Sequence, residues 1–460
     1  MTFMEKKNMV RRPMYEMLTS AAEFQSGHMP GHKGHAPFGV MDLYRLDTTE
    51  LPSTDDLYTA ERGIAEAEAL YAASAGADTS IFLHNGSTSG IHVMLQLWAR
   101  EGDTVLMPRN AHLSAMNACI LGGLKPVWIN VTRRSDGYCY VRTEDVLAAI
   151  HAHPEAKALL LTRPDYYGGC MPLQEIVCAA HEQGIRVVVD EAHGAHLPWM
   201  DTIPSAGACG ADAWTQSVHK TLPGFTASAV LHLKRAEDRE RALQLLRREQ
   251  TSSPSFLLML SVDDARAWME LYGRERLHQT IHAANELRCR LQATPYRDAH
   301  DLWQETGMTF DPTRLVLEAP EGGERLAERL RVQNIEVEMY DPWRVVIILT
   351  CMDTEEEIRH LADALTSLPG ETADLPTLQQ ALPMPRQVMT PRKAVMAEAE
   401  SVPLSQAAGR VSAVSAGLYP PGIPSVCPGE EITEETAKQL KQASPQRRFG
   451  VEGDTILCVK

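Results

Sequence analysis

The feature that most constrains how this 460-residue chain folds is a series of short, mostly apolar segments set between longer helical ones. Segments 80–84, 104–107, 126–130, 158–162, 186–190, 213–218 and 229–233 show little polar alternation. A strand that is apolar on successive residues must be covered on both faces, as in a parallel sheet between helices. Segments 64–75, 91–100, 111–121 and 173–183 carry the helical period that supplies the cover. The predicted architecture is therefore α/β: a mostly parallel sheet with helices on both faces and right-handed crossovers.

The texture changes near residue 235. A charged helix at 237–250 is broken by Thr251-Ser-Ser-Pro254, and 256–292 is long and helical. Residues 308–370 repeat the α/β pattern on a smaller scale, with strands near 314–317, 335–339 and 345–349, and 370–395 is proline-rich. These shifts predict an N-terminal arm at 1–40, a major domain at 41–265, a small α/β domain at 266–370 and a C-terminal α+β domain at 371–460.

Composition narrows the function. Forty-four basic against 60 acidic residues give a net charge of −16. Nucleic acids and anionic membranes both need a basic footprint, so neither is an expected partner. A small cationic substrate stays open. No apolar run approaches the roughly 18 residues of a membrane span. The basic start at Lys6, Lys7, Arg11 and Arg12 is followed by no apolar core of a secretory signal. Nine cysteines without CxxC pairs read as reduced and mostly packed, Cys178 within 176–180 being one example. The expected compartment is the cytoplasm.

Two strand ends carry the chemistry. Segment 186–190 ends in Asp190, followed by Glu191 and His193, and ligands of open α/β sheets bind beyond the carboxyl ends of strands. Thirty residues on, one crossover and a strand later, Ser217, His219 and Lys220 end the next strand before the apolar turn Thr221-Leu-Pro-Gly224. An Asp and a Lys at one sheet edge are what pyridoxal phosphate requires: a lysine for the Schiff base and an acid beside the pyridine nitrogen. Asn85-Gly-Ser-Thr-Ser-Gly90, between a strand and a helix expected near Ile91, offers hydroxyls and backbone N–H groups for the phosphate. His112, after another strand, is placed to lie on the ring. Read singly, each has a plainer meaning: a helix cap, a surface histidine, an ordinary Ser/Thr N-cap. A metal reading built on His28, His32 and His35, or on His193, His196 and Asp190, lacks a helix in the first case and a further well-placed ligand in the second.

Together with HMPGHKG at 28–34, TELPSTDDLY at 49–58, RNAHLS at 109–114, TSSPSFLLMLSVD at 251–263 and YPPGIPSVCPGE at 419–430, these segments resemble the pyridoxal-phosphate-dependent Orn/Lys/Arg decarboxylases of the aspartate-aminotransferase fold (fold type I). The resemblance runs from residue 28 to 430. It implies that Lys220 carries the cofactor, Asp190 pairs with its ring nitrogen and His112 stacks on the ring. Ser87, Thr88, Ser217 and His219 would hold the phosphate, with Ser89 close by. His193 would sit near the ring hydroxyl and the substrate carboxylate. Thr251 and Ser252 would be supplied across a homodimer interface, and 41–265 would be the cofactor-binding domain. Glu430 would receive the distal cation of the substrate, with Asp55 and Asp56 next in line. Departures from the family pattern are Gly224-Phe-Thr-Ala227 after the lysine, Arg163-Pro-Asp165 before Tyr166, and Leu113 where a lysine is usual. With HMPGHKG at 28, the chain resembles the short forms that lack a wing domain.

The expected reaction is α-decarboxylation of a basic amino acid, arginine to agmatine first, with lysine and ornithine open. The alternative on the same fold is an aminotransferase or lyase, with Arg344 as a clamp for the α-carboxylate.

Overall fold

The computed structural model describes residues 25–27, 31–33, 35, 43–51, 54–375, 384–419 and 422–460. His28, Met29, Pro30 and Gly34 of the HMPGHKG segment, Pro52 and Ser53 of TELPSTDDLY, and Pro420 and Pro421 of YPPGIP lie outside them.

Seven strands form the central sheet: β1 (Thr79–Leu83), β2 (Thr104–Pro108), β3 (Lys125–Ile129), β4 (Ala158–Thr162), β5 (Arg186–Asp190), β6 (Ala213–Ser217) and β7 (Ala229–Leu233). Their order is β1-β7-β6-β5-β4-β2-β3, parallel except for β7, which runs against both its neighbours. The apolar strand composition follows from burial on both faces. Leu159, Leu161, Val187 and Val189 enter one apolar cluster, whereas Ala158, Leu160 and Val188, one residue out of phase, enter another. This is the two-residue period of a pleated strand with helices on each side. The covering helices include α1 (Gly63–Ala75), α2 (Gly86–Trp98), α3 (Leu113–Gly122) and α4 (Leu173–Glu182).

The smaller α/β unit has a four-stranded antiparallel sheet, β8 (Arg297–Asp298), β9 (Arg314–Glu318), β10 (Met339–Tyr340) and β11 (Arg344–Ile348), in the order β8-β9-β11-β10. Its own cluster gathers Leu315, Leu317, Val345, Ile347 and Leu361. The arm segment Gln25–Gly27 adds to this unit by pairing in parallel with Ile335–Val337. The C-terminal unit combines two small antiparallel sheets with helix Glu434–Gln442 over a core that includes Val402, Val426, Ile432 and Leu440.

Three local expectations change. The segment 86–90 is not a loop before a helix at 91 but the first turns of α2 itself. The helical stretch 256–292 contains a π-helical turn, Met269–Gly273, between Phe256–Trp268 and Arg274–Leu291. Cys178 is exposed, as is Cys289; the other seven cysteines are buried, and all nine are free thiols. Among the described residues no helix is long and apolar enough to cross a membrane.

Candidate active site

The parallel pairing of β5 with β6 sets Asp190 opposite Thr215, two residues before Ser217 at the same sheet edge. Ser217 caps a single-turn helix, α5 (Val218–Thr221), that carries Lys220. Asp190 is buried, and its Oδ1 accepts from the Ala192 amide at 3.1 Å. Lys220 Nζ lies 3.1 Å from His193 Nε2. Burial pushes the Lys220 ammonium down from its ordinary pKa; Arg314 adds to the effect, while Asp190 and Glu338 oppose it. Burial also holds the His193 imidazolium well below its usual value, helped by Lys220 and Arg314. An amine depressed in this way is a nucleophile at lower pH than a surface lysine.

A candidate anion site lies where α2 starts. Ser217 Oγ donates to Ser87 Oγ at 2.9 Å, joining the end of β6 to the first turn of the helix. The helix comes this close because residue 90 is glycine: a Cβ there would run into Thr215 Oγ1 and lie 2.9 Å from Thr215 Cβ. The N–H groups of that first turn and the two hydroxyls give a place for a phosphate. Thr88 is half-buried in the same turn. Ser89 differs from its neighbours, since its buried Oγ is spent on the Gly86 carbonyl at 3.0 Å. His219 directs Nδ1 to the Ser228 carbonyl at 3.0 Å, and burial lowers its pKa. His112 is the N-cap of α3, its Nδ1 against Ser114 Oγ at 2.7 Å. Burial lowers its pKa, the Asp190 charge opposes and the Lys220 charge adds, so His112 stands within the field of both.

The arm explains the glycine-rich segment at 28–34. The Gly31 amide donates to the His219 carbonyl at 2.5 Å, and its carbonyl accepts from Thr350 Oγ1 at 2.8 Å. A Cβ on Gly31 would come within 2.7–2.9 Å of Leu222 and Thr221 backbone atoms. Lys33 donates to the Ile348 carbonyl at 2.7 Å. This segment holds the Lys220 turn from behind. His196 faces Asp311 at 3.0 Å rather than joining His193.

Glu430 departs from the expectation. It is wholly buried against Arg109: Arg109 Nη2 lies 2.6 Å from Oε2, and Nη1 contacts Oε1. Trp128 Nε1 adds a bond to Oε1 at 2.9 Å and the Cys427 amide one to Oε2 at 2.7 Å. Four donors fill the roughly four lone-pair sites of a carboxylate, leaving none for a substrate cation. Asp55 is also occupied, accepting from the Asp56, Glu61, Arg62 and Ile64 amides at 2.9–3.1 Å ahead of α1. Asp56 caps Tyr58 at 2.8 Å. Arg344 is likewise structural: it contacts the Asp136 carbonyl, lies 3.3 Å from Asp341 and stands 5.1 Å over the Trp303 ring. Thr251 and Ser252 are exposed, with the Thr251 carbonyl accepting from Tyr58 Oη at 3.2 Å.

Three side chains near Lys220 were missed by the sequence reading. Tyr166 sets its ring edge against His193 at 5.0 Å and donates to Glu338 at 2.6 Å. Arg314, fully buried at the start of β9, points at His193 Nδ1. Tyr166 lay in a segment recognised only for its departure from the family pattern. Glu338 and Arg314 come from the small sheet, and nothing local in sequence ties them to a lysine some 100 residues earlier.

Comparisons with known proteins place the chain in a family. The family model described as Orn/Lys/Arg decarboxylase, major domain, matches residues 12–361, and that of the family's C-terminal domain matches 376–449. The chain belongs to the Orn/Lys/Arg decarboxylase family. Among relatives of the family, an arginine decarboxylase of Bacillus subtilis (strain 168) is 33% identical over 453 residues, covering 93% of this chain and 92% of the relative. An arginine decarboxylase of Bacillus anthracis is 33% identical, covering 90% and 89%. Among solved structures, lysine decarboxylase A from Pseudomonas aeruginosa superposes with a TM-score of 0.74 at 20% identity, covering 90% of this chain and 74% of the other. A Sphingomonas wittichii serine palmitoyltransferase superposes at 0.54 over 67% of this chain and 76% of the other, at 17% identity. The fold is thus shared with a wider group of enzymes, while the decarboxylase family is shared along nearly the whole chain.

Proposed function

We propose that this family member is a pyridoxal-phosphate-dependent decarboxylase that converts arginine to agmatine and carbon dioxide. The observation that carries the reading is the meeting of buried Asp190 and pKa-lowered Lys220 at one sheet edge beside the Ser87–Ser217 anion site. Arginine takes precedence over lysine and ornithine because the relatives named as arginine decarboxylases match at 32–33% identity and those named as lysine decarboxylases at 22–23%.

The residues fit the cofactor. Asp190 Oδ2 has no hydrogen-bond partner among the described residues, so a buried acid is left to face a pyridinium N–H. Ser87, Thr88, Ser217 and the α2 amides would hold the phosphate, Lys220 the aldehyde, and His112 the ring face. Bound there, pyridoxal phosphate supplies an electron sink for the pair released when the Cα–carboxylate bond breaks. Asp190 would hold a fixed negative charge beside the ring nitrogen. Lys220 and His193, 3.1 Å apart, are the groups placed to return a proton to Cα. Glu338, whose charge acts on Lys220 and which accepts from Tyr166 at 2.6 Å, is the acid assigned to the distal guanidinium. A cation taken out of water needs such a fixed partner.

The active form is proposed to be a cytoplasmic homodimer in which the exposed Thr251 and Ser252 complete the partner's site. Mixing Lys220→Ala subunits with a Thr251/Ser252 double variant should restore part of the activity. No rescue despite proven subunit exchange would count against shared sites. Side-by-side assays with arginine, lysine and ornithine test the main reading through carbon dioxide release. Amine formation that requires a keto acid, or no carbon dioxide from any of the three, would replace it with the aminotransferase or lyase alternative.

A further inference from the structure

Arg314 is fully buried, yet no carboxylate forms an ion pair with it among the described residues, and its Nε has no partner. Its terminal nitrogens Nη1 and Nη2 lie 3.5 and 3.4 Å from His193 Nδ1. Across the same ring, Nε2 is 3.1 Å from Lys220 Nζ. A guanidinium has N–H donors and no acceptor, so Nδ1 meets Arg314 with its lone pair. A neutral imidazole has one N–H, which must then be on Nε2. That N–H points at the lysine nitrogen. An ammonium has nothing to accept it with, whereas an amine has one lone pair.

We propose that Arg314 is a positioning residue that fixes the tautomer of His193, aims Nε2–H at Lys220 and so stores that lysine as the unprotonated amine. The inference rests on reading Lys220 as the cofactor lysine. The surroundings support it from every side. His193 faces Lys220, Arg314, His112 and His219, and burial with these charges keeps the ring neutral. Lys220 faces Arg314 on one side and the charges of Asp190 and Glu338 on the other, and burial outweighs the two acids. Asp311, whose carboxyl lies within the field of Arg314, is already paired with His196 at 3.0 Å, so the arginine's charge stays directed at the ring. A cation beside a desolvated lysine is a known means of holding it as an amine.

The test reads the lysine's proton rather than turnover. The full-length chain, freed of cofactor with hydroxylamine, is acetylated in trace amounts from about pH 6 to about pH 11, bracketing the free lysine value of about 10.4. Peptide mass mapping then gives the labelling rate of Lys220 against pH. In the unaltered protein the rate should level off below the free value. Arg314→Met should move that inflection upward, and Arg314→Lys, which keeps a charged donor, should move it less. If Arg314→Met does not fold, His193 decides the matter: His193→Gln keeps an N–H donor toward Lys220 and should keep the low inflection, and His193→Leu should lose it. A Lys220 that labels like a free lysine in the unaltered protein overturns the proposal. So does an Arg314→Met chain, or a His193→Leu chain, that titrates as the unaltered one does. A chain that labels as expected but decarboxylates no basic amino acid would instead overturn the functional reading and leave this inference standing.

Discussion

At the scale of single residues, the site works by burying charge where the surroundings decide its form. Lys220→Ala should lose turnover while still retaining cofactor weakly through the anion site. The check is cofactor absorbance surviving desalting, with borohydride fixing the label on Lys220 only in the unaltered chain. Asp190→Asn keeps the shape and removes the charge, and kcat should fall by about 10²–10³, the usual loss of one preorganised electrostatic partner. Glu338→Gln should raise KM for arginine without changing cofactor affinity; equal kinetics with arginine would place Glu338 outside the substrate site. Asp311 gives a pH signature. Burial alone would raise its carboxyl, but His196 at 3.0 Å, Arg314 and Thr313 outweigh burial and hold it well below the usual range. A carboxyl held below its unfolded value of about 3.9 stabilises the fold above that pH, and loses this contribution as pH falls toward the folded value. Asp311→Asn should therefore cost about 3–5 kcal/mol near neutral pH. Urea unfolding at successive pH values should show the gap closing below about pH 4.

At the scale of elements, the site depends on how closely one helix approaches one strand. Ser87 reaches Ser217 because α2 begins at Gly86 and lies flush on β6 at Gly90. Gly90→Ala should force the helix away from Thr215, at about 1–3 kcal/mol for overpacking a tight contact. Weaker cofactor binding should accompany the lower melting temperature. A lower melting temperature with unchanged cofactor affinity would mean that the helix start is not the phosphate site. The same logic explains why segment 86–90 reads as a loop: three hydroxyl residues between two glycines have poor helix propensity. What makes them helical is a tertiary contact, and the helix start is then the proposed phosphate site.

At the scale of the whole molecule, Arg109 and Glu430 tie the major sheet to the C-terminal unit across 321 residues of sequence. The pair is buried, with the Arg109 guanidinium 4.7 Å over the Trp128 ring, so it acts as a rivet between units. Glu430→Gln should destabilise the protein by about 3–5 kcal/mol, the cost of leaving a buried arginine unpaired. The order of preference among arginine, lysine and ornithine should not change. Faster hydrogen exchange in Ala416–Leu418 and Pro424–Val426 would mark the loosened docking. A selective loss of arginine turnover at unchanged stability would return Glu430 to the substrate site.

The sequence by itself determined the doubly covered sheet, because a strand that is apolar on every face has no other stable environment. It also determined that Asp190 and Lys220 share an edge, since one crossover separates two parallel strand ends. Local pattern carries both facts. The tertiary structure alone decided which acid stands near Lys220 and which arginine faces the site. Glu430, Asp55, Arg344 and Arg314 are all plausible by residue type, and only their partners tell them apart: Arg109, four backbone amides, Asp341 and His193. A charged side chain takes its role from whatever satisfies it when buried, and two of these four partnerships, Glu430 with Arg109 and Arg314 with His193, join different units. No periodicity within one segment encodes them.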